Sequence, residues 1–395
     1  MLTQTRIALS VLCLLTLSAP AQTTNNGTPR ARDLGVPFEG TPGKLNAITD
    51  VAGVEVGATT LIRGDGPLKV GEGPVRTGVT VVFPRGKQDT DNVYAGWFSL
   101  NGNGEMTGTT WLEEAGLLKG PVAITNTHSV GVVRDSIIAW AVKQRLVKDD
   151  EWSLPVVAET WDGWLNDLNG FHVKQEDVFG ALDSAKGGPV AEGNTGGGTG
   201  MICYGFKGGT GTASRVLSKE NGGYTVGVLV QCNCGRRPQL TIAGVPVGKE
   251  ITGAEPYARI SEPAVPGSEQ RGDVGSIIIV VATDAPLLPH QLKRIARRAS
   301  LGVARTGSVS GNGSGDIFVA FSTANPHADD FPGPNSVTTV ANGKISPIFE
   351  ATVQATEEAI VNAMVGAKTM TGVNGRTVVA LPHEKLQQAL KKYNR

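Results

Sequence analysis

Several short apolar runs, bounded by glycine, asparagine or aspartate, recur along the second half of the chain. They occupy residues 225–231, 276–283, 316–322 and 377–381 and are rich in β-branched residues. A continuous apolar run of this length is typical of a strand that is buried on both faces. The pattern therefore predicts a sheet with packed layers on both sides.

Two segments show helical spacing instead. Between residues 292 and 299 apolar residues recur at intervals of three and four after Pro289, and Gly302 is placed to end that helix. A second helix is predicted over residues 348–364, with Glu357 and Glu358 on a solvated face. Strands followed by helices in both halves predict an α/β fold in which helices cover stacked sheets.

Composition adds limits on partners. The chain has 395 residues, 40% of them apolar, which suffices for one large domain or two ordinary ones. Its 36 basic and 36 acidic residues balance. A chain without excess positive charge offers no footprint for nucleic acid or an anionic membrane, so a small substrate is the simpler partner.

The N-terminus predicts a secretory signal over residues 1–21. Arg6 precedes an apolar stretch at residues 7–17, and Ala-Pro-Ala at residues 19–21 suits a cleavage site. The apolar stretch is too short to span a bilayer. A buried first strand is the alternative. We expect a periplasmic or secreted protein, and we expect the polar residues 249–273 to form an exposed loop.

Loss of the signal would remove Cys13 and leave three cysteines, Cys203, Cys232 and Cys234. Residues two apart on a strand project to the same face, which is awkward for a disulfide between Cys232 and Cys234. Cys203 is compatible with pairing to either one in an oxidising compartment. A zinc site is less favoured, because a lone Cys-x-Cys and five histidines without metal-binding spacing give a weak signal. We therefore expect neither a metal nor a cofactor.

The Gly275-Ser276 pair at the start of one apolar run carries the main chemical signal. If the bond between them breaks, Ser276 becomes N-terminal and holds a hydroxyl nucleophile beside its own free amine. An α-amine titrates near pH 7.7–8.0, so it is available as a general base around neutral pH. The ordinary alternative is that Gly-Ser simply begins a buried strand.

Other catalytic signatures are missing from the sequence. It contains no Gly-x-Ser-x-Gly elbow, no Gly-Lys-Ser/Thr phosphate loop and no His-Glu-x-x-His. The glycine run at residues 194–200 lacks dinucleotide-binding spacing and is compatible with a flexible connection or a close-packed turn. Ordinary hydrolase, nucleotidase and metalloprotease functions are therefore disfavoured.

Several spaced motifs together resemble a known family. They are the Gly275-Ser276 junction, Glu159-Thr-Trp161-Asp162-Gly163, Ser314-Gly315-Asp316, and residues 194–200, 208–215 and 230–233. Taken in their order along the chain, they resemble the motifs of the DmpA-type aminopeptidases, the self-processing N-terminal serine hydrolases of peptidase family S58. That family comprises L-aminopeptidase/D-esterases and β-peptidyl aminopeptidases, and the resemblance spans nearly all of the chain after about residue 30.

The resemblance implies a four-layer αββα sandwich of the N-terminal-nucleophile type. It implies an α chain of residues 22–275 and a β chain of residues 276–395, folded together as one domain. It further implies a homo-oligomer, a tetramer of processed pairs, that needs no cofactor.

The resemblance also implies roles for individual residues. Ser276 would attack the Gly275 carbonyl and later the substrate, with Ser314 and Asp316 in its hydrogen-bond network. The β-peptidyl branch has glutamate where this chain has the shorter Asp316.

Three further roles concern the oxyanion and the substrate. Asn233 would stabilise the oxyanion and, on an extended strand, point away from Cys232 and Cys234. Glu159 would bind the substrate's ammonium group. Trp161 stands where the L-aminopeptidase branch has tyrosine, and core packing is its alternative role.

The expected function is a self-processing serine aminopeptidase acting on short peptides, amides or esters with a free amino group. Preference for α- or β-amino acids stays open. An acyltransferase of the ornithine acetyltransferase type is one alternative, although that type has threonine at the junction. An unprocessed ligand-binding or scaffold protein is the other.

Overall fold

The structure is a computed structural model that describes residues 28–254, 275–327, 329–330 and 332–395. The expected signal peptide at residues 1–21 lies outside the described residues. So does most of the expected exposed loop, whose first residues instead end a short helix.

Within the described residues the chain forms strands and helices in alternating groups. The strands are β1 (Glu55–Arg63), β2 (Val75–Phe83), β3 (Val93–Ser99), β4 (Leu117–Leu118), β5 (Val122–Asn126), β6 (Val156–Thr160), β7 (Ile202–Cys203), β8 (Phe206–Lys207), β9 (Gly209–Val216), β10 (Thr225–Asn233), β11 (Ser276–Thr283), β12 (Ile317–Ser322), β13 (Met370–Thr371) and β14 (Thr377–Val378). The helices are α1 (Thr109–Ala115), α2 (Val130–Lys143), α3 (Gln175–Ser184), α4 (Val247–Glu250), α5 (Pro289–Arg305), α6 (Ser346–Val365) and α7 (His383–Lys392). Over the described part of the chain, no helix has the length and apolar content needed to cross a membrane.

Two large sheets stack face to face between helices. The first has the strand order β1-β2-β5-β6, and the second has the order β4-β3-β12-β11-β10-β9. Helices α2 and α3 pack on the outer face of the first sheet, while α5 and α6 pack on the outer face of the second. A separate apolar cluster fills the space between the sheets. The predicted αββα sandwich is therefore confirmed.

Strand β11 lies in the interior of the second sheet, antiparallel to β10 and parallel to β12. Its residues Ile277, Ile279 and Val281 pack toward the helices. Its residues Ile278 and Val280 pack between the sheets. This division explains why the run shows no polar alternation: both of its faces are buried.

Helix α5 continues past Gly302 to Arg305, so the predicted stop at that glycine is wrong. A Cβ atom added at Gly302 would lie 2.5 Å from Cβ of Thr356 on α6. The glycine therefore permits close packing of the two helices and does not serve as a C-terminal cap. The predicted strand at residues 377–381 is also too long, because β14 pairs with a strand of only two residues.

Glu358 does not lie on a solvated face, contrary to the prediction. Its side chain is fully buried in α6 and forms ion pairs with Arg215 at 2.7 Å and Arg32 at 2.8 Å. Burial opposes ionisation, but the two guanidinium groups outweigh it and lower the pKa of Glu358 below its ordinary value. Its neighbour Glu357 is partly exposed and pairs with Arg305.

Candidate active site

Ser276 is the first residue of β11 and is almost fully buried. In the antiparallel register of β10 and β11 it lies directly opposite Asn233, the last residue of β10. Directly opposed residues project to the same face of a sheet. The Ser276 position in turn shares its face with Ile278 and Val280, which pack between the sheets. The two predicted site residues therefore meet at a strand end, on the inner face of the second sheet.

The Gly275 carbonyl accepts two hydrogen bonds at this point. The Ser276 hydroxyl donates to it at 2.7 Å, and the backbone N–H of Gly315 donates to it at 3.2 Å. Donors aimed at a carbonyl oxygen stabilise the negative charge that develops there during nucleophilic attack. The nucleophile and one oxyanion donor thus flank the same peptide bond.

Ser314 and Asp316 come together beside the junction. Asp316 Oδ1 accepts a hydrogen bond from Ser314 Oγ at 2.7 Å and another from the backbone N–H of Ile277 at 3.1 Å. The backbone N–H of Asp316 donates to Asn101 Oδ1 at 2.7 Å. The shorter aspartate therefore reaches the main chain at the residue that follows Ser276.

Asn233 uses both ends of its amide. Its Oδ1 accepts from the backbone N–H of Ile202 at 2.8 Å, and its Nδ2 donates to the carbonyl of Trp161 at 3.0 Å. A side-chain amide carries two N–H hydrogens, so a second one is available for donation. The adjacent Cys232 and Cys234 pack in the cluster on the helical side of the sheet. The predicted opposite orientation of Asn233 and the two cysteines is confirmed.

Glu159 lies at the end of β6 on the facing sheet and is nearly inaccessible. Its carboxylate accepts from the Thr127 hydroxyl and, at 3.1 Å, from the backbone N–H of Glu105. Burial raises the pKa of Glu159, while these two hydrogen bonds oppose the rise. A buried carboxylate whose two donors here, the Thr127 hydroxyl and the Glu105 N–H, are neutral suits recognition of a cationic ligand.

The Glu159 carboxylate and the junction are linked through Gly104. A Cβ atom added there would lie 3.3 Å from Glu159 Oε1 and 3.0 Å from Cα of Gly315. Gly315 in turn donates its N–H to the Gly275 carbonyl. Two close-packed glycines therefore bring the acidic side chain of one sheet toward the serine of the other.

Trp161 packs as a wall residue. Its indole covers Gly163 and contacts a cluster that includes Trp164 and Ile202. Its side chain is partly exposed, and its main-chain carbonyl holds Asn233. The main chain of Trp161 thus positions Asn233 regardless of which aromatic ring it carries.

Comparison with known proteins decides the family. A family model described as Peptidase family S58 matches residues 46–378. The chain belongs to peptidase family S58. It is 60% identical over 371 residues to "Beta-peptidyl aminopeptidase BapA" of Sphingosinicella microcystinivorans, covering 93% of each chain. It is 52% identical over 390 residues to the protein of that name from Sphingosinicella xenopeptidilytica, covering 97% of this chain and 96% of the other.

A solved structure agrees in fold. The L-aminopeptidase D-Ala-esterase/amidase of Ochrobactrum anthropi superposes with a TM-score of 0.82 at 48% identity, over 93% of this chain and 99% of the other. That enzyme is described as a prototype for the serine aminopeptidases and as a variant of the N-terminal-nucleophile hydrolase fold. The protein is therefore a hydrolase, a serine aminopeptidase of family S58.

A disulfide in this S58 peptidase joins Cys203 and Cys232. Sequence reasoning left the partner of Cys203 open between Cys232 and Cys234. The Cys234 thiol is buried, with its Sγ 3.9 Å from that of Cys232. Burial, followed by the nearby Asp316 carboxylate, raises the pKa of Cys234 well above its ordinary value. The three sulfur atoms lie within 4.8 Å of one another, and the bond between two of them leaves Cys234 as the free thiol of the three.

The glycine run of the S58 peptidase is a close-packed turn. Gly196–Gly200 form a buried 3-10 helix. A Cβ atom at Gly197 would lie 2.7 Å from the carbonyl oxygen of Ile124, which belongs to the first sheet. Glycine is required here because backbone meets backbone. Of the two alternatives left open from sequence, the packed turn is the one observed.

Several residues of this site were not predicted from the sequence. They are the Gly315 N–H on the Gly275 carbonyl, the Thr127 hydroxyl and Glu105 N–H on Glu159, and Asn101 on the main chain of Asp316. Residues 101–104 have the sequence Asn-Gly-Asn-Gly, which indicates only a turn. The two main-chain donors leave no trace in residue identity, and the side chains of Thr127 and Asn101 lie outside every motif identified in the sequence.

Proposed function

We propose that this serine aminopeptidase is made as a precursor that cleaves its own chain between Gly275 and Ser276. The observation that carries the proposal is the position of the Ser276 hydroxyl, 2.7 Å from the Gly275 carbonyl oxygen, with the Gly315 N–H on the same oxygen. Ser276 Oγ adds to the carbonyl carbon, its proton passes to the departing amide nitrogen, and the C–N bond breaks. Water then hydrolyses the ester, leaving a Gly275 carboxylate and a free Ser276 α-amine.

In the processed enzyme the same hydroxyl attacks the substrate's carbonyl. The freed α-amine takes the hydroxyl proton and passes it to the leaving group, as its ordinary pKa near 8 permits. Asp316 supports this arrangement, because it holds both the Ser314 hydroxyl and the N–H of Ile277 next to the nucleophile. An acyl-enzyme on Ser276 forms and is hydrolysed.

Two further residues give the reaction its direction. The second amide hydrogen of Asn233 stabilises the oxyanion, since Asn233 lies opposite Ser276 on the same face. Glu159 binds the ammonium group of the substrate and so restricts cleavage to the amino end. Trp161 borders this region and lines the position of the N-terminal residue.

We propose short peptides and amides with an N-terminal β-amino acid as the preferred substrates. The support is that both curated relatives described above, at 60% and 52% identity, are named β-peptidyl aminopeptidases. A β-amino acid has one more methylene than an α-amino acid between its ammonium and its carbonyl, so it bridges a longer distance between Glu159 and Ser276. That span is the quantity on which discrimination depends.

The proposed maturation yields an α chain of residues 22–275 and a β chain of residues 276–395, after removal of a signal peptide at residues 1–21. A periplasmic or secreted location is supported by the Cys203–Cys232 disulfide, since such bonds persist in oxidising compartments. We propose that the processed pairs assemble into a homo-oligomer, a tetramer in the simplest case.

Intact-mass measurement of the denatured, reduced protein beside a Ser276→Ala variant tests the processing step. We expect a fragment that begins at Ser276 only in the wild type. Initial rates on β-alanyl and L-alanyl p-nitroanilide then test the substrate class, with Ser276→Ala as the blank. An uncut wild-type chain contradicts the mechanism, while a cut chain that prefers the L-alanyl compound contradicts only the substrate assignment.

A further inference from the structure

Lys207 is a fully buried lysine at the end of the short hairpin formed by β7 and β8. Its Nζ donates to the carbonyl oxygens of Met201 at 2.9 Å, Gly208 at 2.9 Å and Gly198 at 3.4 Å. An ammonium group has three hydrogens and no acceptor, so the three carbonyls match the charged form. The Lys207 ammonium group therefore holds three main-chain carbonyl groups in position.

One of these carbonyls belongs to the peptide group that contacts Asn233. The Met201–Ile202 peptide accepts from Lys207 at its oxygen and donates from its nitrogen to Asn233 Oδ1 at 2.8 Å. A cation at a peptide oxygen draws electron density from the nitrogen and strengthens the N–H as a donor. The same effect then passes to the Asn233 amide, since hydrogen bonds in series polarise one another in a buried site.

We propose that Lys207 is a positioning residue for catalysis, which acts through the Met201–Ile202 peptide to orient and polarise the Asn233 side chain. No bond to Lys207 forms or breaks during the reaction. The proposal rests on the proposed function of Asn233 as the oxyanion donor.

Two features fix the geometry of this chain of hydrogen bonds. Ile202 and Lys207 are directly paired in the hairpin, so the lysine and the peptide it contacts move together. The Cys203–Cys232 disulfide connects the residue after Ile202 to the residue before Asn233. The Ile202–Asn233 hydrogen bond therefore closes a short ring whose other links are covalent.

The buried surroundings of Lys207 also indicate a functional role for this residue. Burial lowers the pKa of Lys207 to about 7, because desolvation disfavours the charged form. The three carbonyl oxygens favour the charge. A buried ionisable group with a perturbed pKa beside an active site is a candidate for a functional role.

A double-mutant cycle between Lys207→Met and Asn233→Ala tests the proposal. Methionine keeps an unbranched apolar side chain and removes the ammonium. We expect Lys207→Met to lower kcat about 10-fold on a β-alanyl anilide, because one polarising charged hydrogen bond is lost. KM should stay within about two-fold, since Lys207 is not assigned to ground-state binding. In the Asn233→Ala background the same change should lower kcat less than about two-fold, because the group through which Lys207 acts is gone.

Arg237→Met is the matched control. Arg237 is also buried and donates to carbonyls of the same region, those of Tyr204 at 2.9 Å and Ile251 at 3.3 Å. Neither belongs to the Met201–Ile202 peptide. Its effect on kcat should be the same factor with or without Asn233.

The outcomes distinguish a failure of the Asn233 oxyanion role from a failure of the Lys207 positioning role. If Asn233→Ala alone leaves kcat unchanged, the proposed oxyanion role fails. If Asn233→Ala impairs kcat and Lys207→Met lowers it further by the same factor, the oxyanion role stands and the Lys207 proposal is wrong. Should Lys207→Met not fold, Lys207→Gln retains two neutral N–H donors and enters the same cycle with the same expected non-additivity.

Discussion

Gly275 packs so closely against Asn233 that a Cβ atom added to Gly275 would lie 2.8 Å from the Asn233 carbonyl oxygen. The residue before the nucleophile is therefore in backbone contact with the residue opposite the nucleophile. This contact accounts for glycine at position 275, because any other residue would place a Cβ atom against the Asn233 carbonyl.

Gly275→Ala should slow self-cleavage at least about 10-fold, because relieving the contact displaces the carbonyl from Ser276 Oγ and from the Gly315 N–H. Once cut, the β chain no longer carries residue 275 on its N-terminus. The kcat of the cleaved fraction should then lie within about two-fold of the wild type. A time course of intact mass, with anilide hydrolysis normalised to the cleaved fraction, measures both quantities.

Gly102→Ala is the control for that prediction, since an added Cβ at Gly102 meets no atom within 4 Å. It should process at the wild-type rate. Unchanged processing in Gly275→Ala would show that the contact does not constrain the junction.

Glu159→Gln should lower kcat/KM at least about 30-fold through a higher KM, because it removes the charge from a buried partner of the substrate ammonium. Burial raises the pKa of Glu159 in the free enzyme, so the carboxylate becomes protonated at a higher pH than an ordinary glutamate. KM of the wild type should accordingly rise as pH falls through that raised pKa, and KM of the variant should not.

Glu105→Gln is its matched control. Glu105 is exposed and contacts Glu159 through its backbone N–H, which the substitution retains. Its KM at neutral pH should match that of the wild type. Because the Glu105 charge helps to raise the pKa of Glu159, the pH dependence of KM should move toward lower pH but persist. Equal KM values for Glu159→Gln and the wild type would contradict the assignment of Glu159 to the ammonium group.

The sequence predicts the layers of this fold well because both faces of β11 and β12 are buried. Such strands show continuous apolar runs, and the helices that cover them keep their three-and-four spacing. The sequence also predicts that Ser276, Asn233 and Asp316 belong to the site, because each lies in a motif that is contiguous in the chain. It does not predict that Glu358 is buried, because its partners Arg32 and Arg215 are distant in sequence and either glutamate of the pair at 357 and 358 fits a solvated face.

The main-chain contacts of the site could not be predicted from the sequence either. The Gly315 N–H, the Glu105 N–H and the Met201–Ile202 peptide act through groups that every residue type possesses. Only the surrounding glycines hint at them. Glycine 302 shows the opposite error: a residue typical of helix ends serves here for helix packing.

Glu358→Gln should destabilise the folded chain by about 3 kcal/mol or more, because it removes the carboxylate that is directly paired with buried Arg215. Glu357→Gln is the neighbouring control, and its partly exposed pair with Arg305 should contribute less than about 1 kcal/mol. Urea unfolding of both variants in a Ser276→Ala background, which keeps the chain whole, compares them directly. Equal midpoints would contradict the assigned role of the buried ion pairs.

The ion pairs of Glu358 also predict that the stability of the folded chain depends on pH. The folded-state pKa of Glu358 is lowered, so the stabilisation it provides is present above its unfolded pKa and is lost as pH falls through the folded one. Glu358→Gln should therefore lose its disadvantage relative to the parent chain in acid, whereas Glu357→Gln should show little change.

Asp162 should make the stability of the folded chain depend on pH in the opposite sense. It is fully buried, accepts from Asn126 Nδ2 and Asn166 Nδ2, each at 3.1 Å, and burial raises its pKa from 3.8 to about 6. Between these values the folded state binds a proton that the unfolded state does not. Stability contributed by Asp162 therefore falls as pH rises from about 4 to 6, by about 3 kcal/mol in total.

Asp162→Asn removes that titration and leaves one amide donor facing an NH₂ group instead of an oxygen. At pH 4.5 the variant should be less stable than the Ser276→Ala parent by about 1–3 kcal/mol, because a buried donor is left unmatched. At pH 7.5 the gap should narrow, since only the parent then bears the cost of a buried, ionised carboxylate. Asp150→Asn, at an exposed position, should follow the parent at both pH values. A gap between Asp162→Asn and the parent that widens with pH would show that Asp162 ionises favourably in the fold, and that its burial does not raise its pKa.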